Sequence, residues 1–102
     1  MKKELSRICN DYAIAFLSRG GDQKNPSRED LQKAKDMYNV AMALDERNID
    51  SVIGLASIYR RIEKDYKTAL KYYEYASKID PEDPGAKYGI KICTEELMKL
   101  NK

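Results

Sequence analysis

The chain has 102 residues, 42% hydrophobic and 35% charged, which suits one small core under a well-solvated surface and excludes a disordered composition. Nineteen basic and seventeen acidic side chains give a net charge of +2, and from residue 60 onward ten basic groups interleave with eight acidic ones, so no basic block marks a nucleic-acid partner. Histidine is absent, and Cys9 and Cys93 lack metal-type spacing, so neither a zinc site nor a disulfide framework is expected and a reducing compartment is the simpler reading.

Lys2 and Lys3 open the chain, but Glu4, Arg7 and Asp11 break any signal-peptide core, and the apolar run from Tyr12 to Leu17 is too short to cross a bilayer. A soluble, cytoplasmic protein without a membrane partner is expected. The first helix is predicted over 3–19, with Cys9, Tyr12, Ala13 and Phe16 as its buried stripe. A polar, exposed stretch follows. Gly20 and Gly21 suit a helix end, and Ser27 with Asp30 resembles a capping box for a second helix over 28–45. That helix carries Leu31, Ala34, Tyr38, Ala41 and Leu44 on one face.

A third helix over 49–63 has Val52, Leu55, Ala56 and Tyr59 as its stripe, and a fourth is predicted over 66–79. Pro81 then falls in a tight turn. Asp83 caps a last helix over 84–100, with Pro84 in its first turn, where a missing N–H costs nothing. In that helix Ala86, Ile90, Cys93, Leu97 and Leu100 share the face expected to pack, while Tyr88 and Ile92 project nearly opposite.

Shifting the fourth helix back by 35 residues lays it on the second. Asp65 falls on Asp30, Ala69 on Ala34, Tyr73 on Tyr38, Ala76 on Ala41 and Asp80 on Asp45, while Tyr66 meets Leu31 and Ile79 meets Leu44. The shared positions also share helical spacing, which marks an internal repeat. The first and third helices match as well, eight residues further apart because of the inserted loop at 19–30. Small alanines let two helices approach closely, and the tyrosines fill the space that remains.

These residues resemble the tetratricopeptide repeat family. The second copy carries the resemblance in Leu55, Ala56, Tyr59, Tyr66, Ala69, Tyr73, Ala76 and Pro81; the first carries it in Tyr12, Ala13, Phe16, Ala34, Tyr38 and Ala41, with Glu46 in place of the proline. The family's large first-helix aromatic is replaced by Cys9 and Val52, and the turn inside the second copy is one residue longer than usual. The resemblance implies an all-α fold: five helices in a right-handed superhelical stack, as a single domain over 1–102. Repeat one would span about 6–48 and repeat two about 49–83. The helix at 84–100 would be a cap, since a further 35-residue step puts Lys87 and Lys91 where the earlier copies bury side chains.

In the family the first helices of successive repeats line a concave face that binds peptides or helices. Carried over, that face would hold Arg7, Asn10, Ile14 and Leu17 from the first helix, and Asp50, Ile53, Ser57 and Arg60 from the third. The cap would add Tyr88, Ile92 and Glu95. This stripe is apolar in its middle with arginines at its margin, which suits an amphipathic or acidic-apolar segment. The family's chaperone-tail clamp of lysines, asparagines and an arginine is not expected, because the matching positions hold Asn10, Ile14, Gly54, Gly85 and Gly89.

The expected function is therefore a protein-interaction module: an adaptor, assembly factor or scaffold subunit. The alternative is a self-associating structural module, since two repeats and a cap are few for a stable stack. Catalysis, a cofactor and a metal site are not expected, because there is no histidine, no phosphate-cradling loop and no activated cysteine. Asp80, Glu82 and Asp83 lack the loop that calcium binding needs.

Overall fold

The computed structural model describes residues 1–18 and 26–100. Among these there is no strand, and five helices follow in order: α1 (Lys2–Ser18), α2 (Arg28–Leu44), α3 (Ile49–Ser57, continued by a π-helical stretch Ile58–Ile62), α4 (Tyr66–Ile79) and α5 (Pro84–Leu100). Every predicted helix is present, with ends within a residue of expectation wherever they fall on described residues; the expected end of the first helix at 19 lies outside them. Gly20, Gly21 and most of the inserted loop lie outside the described residues. The chain forms two compact units, Met1–Ser51 and Val52–Lys102, dividing inside α3.

In the first unit α1 and α2 run antiparallel, with Ser6 meeting Ala41 at one end and Phe16 meeting Lys33 at the other. Ala13, Ala34 and Ala41 are fully buried and Tyr38 nearly so. Ser27 caps α2 by accepting the Asp30 N–H at 3.1 Å. At the other end the Ala41 carbonyl accepts both the Asp45 N–H and the Ser6 hydroxyl, the latter at 2.6 Å, so an end-of-helix acceptor is doubly satisfied. Ser6 in turn accepts from Asn48 Nδ2 at 2.8 Å, locking the following turn to α1.

In the second unit Ala56, Ala69, Tyr73 and Cys93 form a buried cluster, with Ile53, Tyr59, Tyr66, Leu70, Tyr72 and Ile90 packed against it. Tyr59 and Tyr72 stack with ring centroids 5.8 Å apart. The extra residue expected between α3 and α4 is absorbed by the wide turn. Glu63 N–H reaches the Ile58 carbonyl and Asp65 N–H the Tyr59 carbonyl, with Lys64 at φ 57° closing it. Asp65 then caps α4, accepting from the Thr68 N–H and hydroxyl.

Two expected core residues are outside the core. Tyr12 is 58% exposed. It belongs to α1, where the buried residues are Ser6 and Ala13 and Cys9 is half-buried, so the ring leans away from the line of closest approach to α2. Leu100 is 71% exposed. It ends a helix of 17 residues packed on one of 14, and the last turn of α5 outruns α4.

Candidate protein-binding surface

The second unit assembles its candidate surface around the phenol of Tyr73. Tyr73 is 1% exposed and its ring rests against Gly89 of α5, where any Cβ would overlap the ring carbons. A glycine at this point lets α5 approach α4 closely enough to bury Tyr73. The Tyr73 hydroxyl accepts from Arg60 Nε at 3.0 Å and shares a hydrogen bond with Ser57 Oγ at 2.9 Å. These bonds fix the Arg60 guanidinium, which lies over the Tyr88 ring at 5.6 Å from its centroid. Tyr88 itself is 57% exposed. Ile53 supplies the apolar part, packed beside Gly85 and the buried cluster.

Thus Ile53, Ser57, Arg60 and Tyr88, drawn from α3, its π-helical end and α5, are gathered within one unit. Ile92 is half-buried and Glu95 exposed on the same helix as Tyr88. In the first unit Arg7, Ile14 and Asp50 are exposed and Leu17 half-buried. Asn10 has a structural engagement, because its Oδ1 accepts from the buried Ser51 hydroxyl at 2.8 Å.

Residues that sequence reasoning missed are the buried Ser6 and Ser51, Asn48, and Gly89. The signal for the first three was weak, since a serine within an amphipathic helix reads as surface until its partner across the fold is known. Gly89 was legible as a helix-interior glycine that costs stability unless something packs against it.

Electrostatics around this surface are mild. Burial pushes the Cys93 thiol above its ordinary pKa, and the charge of Arg60 pulls it partly back. Burial, helped by Tyr59, also raises the Tyr72 phenol. The carboxylates after α4 serve the turn: Asp80 accepts from the Glu82 N–H, Asp83 from the Ala86 N–H, and Glu82 pairs with Lys87 at 3.0 Å. Among the described residues no group of three metal-ligating side chains occurs, and no helix is long and apolar enough to cross a membrane. No protein-family model matches the chain, and no curated protein is significantly similar to it.

Proposed function

We propose that the chain is a helical-repeat protein of the tetratricopeptide type whose first-of-pair helices hold a peptide or helical segment of a partner protein. It would act as an adaptor, assembly factor or scaffold subunit in the cytoplasm, without catalysis, cofactor, nucleic acid or membrane. The observation that carries this reading is the arrangement over Tyr73. An exposed aromatic ring, a guanidinium oriented by a buried phenol, and an aliphatic side chain sit together on a rigid helical support. Aromatic and arginine side chains held in place at low entropic cost are typical anchors of protein interfaces. Their chemistry favours an apolar segment carrying a carboxylate for Arg60.

Support for the repeat reading comes from the two second helices. Ala34 and Ala69, Tyr38 and Tyr73, and Ala41 and Ala76 are all buried, as the 35-residue register requires. A second reading, self-association through α5, draws on the exposure of Tyr88 and Met98 on that helix.

Affinity capture from native lysate, run with the wild type and an Ile53→Glu, Tyr88→Ala variant of equal helicity, tests the proposal. The expected result is one protein held by the wild type and lost with the variant. Identical captures by both would remove this surface as the site.

A further inference from the structure

The first unit carries a second, chemically different surface. Met1, just before α1, and Leu5, Ile8, Tyr12 and Ala15 on it recur at alternating steps of four and three, the spacing of a helix-packing seam. All five are exposed, Leu5 and Ile8 by about half. Beside them on α2 runs a matching series, Met37, Val40 and Leu44. Tyr12, Phe16 and Met37 meet in an open cleft of about 310 Å³ that Lys33 and Asp36 border. Exposed apolar side chains recurring on one helix face, with a cleft between that helix and its neighbour, mark an interaction site more than scattered hydrophobic side chains do.

The repeat shows what kind of contact this side of the helix makes. At the 43-residue step between first helices, Ile8 matches Ser51 and Tyr12 matches Leu55, and both matching residues are fully buried. This side of the first helix is therefore packed in the second copy and open in the first, while the second-helix counterparts of Met37, Val40 and Leu44, namely Tyr72, Tyr75 and Ile79, are half-buried or exposed. The alternating steps of four and three along α1 are those at which a second helix packs.

Charge selects which helix. Helical spacing sets Glu4 and Asp11 along the outer edge of the α1 series, and Glu29 and Asp36 along that of α2. Against these four carboxylates stand Lys2 and Lys33, and Lys33 is tied to Glu29 at 3.0 Å and lies over the Phe16 ring. A second copy in face-to-face contact would set these acidic edges against each other. A second copy presenting Tyr88 and Ile92 of α5 would bring Glu95 and Lys99 into the same seam, at the next steps of three and four, where a packed helix needs apolar side chains.

We propose that the outer face of α1 and α2 docks an amphipathic helix of a partner protein whose apolar seam is flanked by lysine or arginine. This surface lies wholly in the first unit and does not depend on the Arg60–Tyr88 surface. The test is fluorescence anisotropy with two labelled helical peptides of about five turns, both with leucine at seam spacing, one flanked by lysine and one by glutamate. The lysine peptide should bind at least about tenfold more tightly than the glutamate peptide at low salt. Tyr12→Glu should abolish that binding and Glu4→Lys with Asp11→Lys should reverse the preference. Tyr88→Ala should leave it unchanged, which separates this surface from the one proposed above. All substituted residues are exposed, and circular dichroism confirms the fold of each variant. Equal binding of both peptides, or binding indifferent to Tyr12→Glu, would overturn the proposal. So would a wild-type dimer that Tyr12→Glu dissociates.

Discussion

The two units use the same second helix and the same closing turn but different first helices and different connections. Asp45 and Asp80 take nearly the same backbone angles, φ −148° with ψ 98° and φ −143° with ψ 99°. Each accepts at Oδ1 from the N–H two residues on, from Arg47 at 3.1 Å and from Glu82 at 3.0 Å. Asn48 and Asp83 then start the next helix, accepting from the Ser51 and Ala86 N–H groups. The turn is thus fixed by two polar side chains and tolerates either Glu46 or Pro81 between them. The connections inside the pairs diverge. α2 begins three residues earlier than α4 relative to the repeat, so Ser27 caps it and Asp30 sits within the helix, whereas its counterpart Asp65 is itself the cap. What is kept between the copies is the buried small-large-small pattern. What varies is the edge, and the edges hold both candidate surfaces.

The largest test of that equivalence is to delete the paired rings. Tyr38→Ala and Tyr73→Ala should each cost about 3–5 kcal/mol in denaturant titration, because both rings are buried between alanines. If only one were costly, the repeat would be a sequence pattern without equal packing. Next comes Gly89→Ala, expected to cost about 1–3 kcal/mol because the new methyl overlaps the Tyr73 ring. Sparing of that variant would show that α5 does not press on Tyr73.

The hydroxyls sharpen the comparison further. Tyr73→Phe should cost about 1–2 kcal/mol, since Arg60 and Ser57 lose their shared partner. Tyr38→Phe should cost less, because among the described residues no side-chain pair holds its hydroxyl as Arg60 and Ser57 hold that of Tyr73. A smaller difference again is expected at the caps: Asp65→Ala about 1 kcal/mol, Asp30→Ala a few tenths, because Ser27 already caps α2. Alkali gives the last comparison. Phenols at Tyr38 and Tyr72 titrate above the unfolded value of 10.0. Their contribution is complete below pH 10 and is lost as pH rises through the folded values, following the loss that the raised Cys93 thiol begins above its unfolded value of 9.0, so stability should hold to about pH 9 and fall beyond it.

Much of this was legible in the sequence because helical periodicity and the 35-residue step report on side chains facing one close neighbour. Ala69, Tyr73 and Ala76 were placed correctly for that reason. Tyr12 was not, because its spacing matches Leu55 while its surroundings do not. Periodicity names a face without saying what covers it. The Ser6–Ala41 and Ser51–Asn10 bonds join residues 35 and 41 positions apart, and no local pattern signals them. The gathering of Arg60, Tyr73 and Tyr88 was half visible: Arg60 and Tyr88 were candidates on the expected face, while the phenol that orients Arg60 read only as core.

Both surfaces are read as awaiting a different protein, and sedimentation equilibrium of the protein alone tests that reading most directly. A single species at the chain mass of 11.8 kDa, unchanged up to about 100 μM, is the predicted result. A concentration-dependent dimer that Tyr12→Glu or Tyr88→Ala returns to monomer would contradict it, and would make self-assembly the use of the open face.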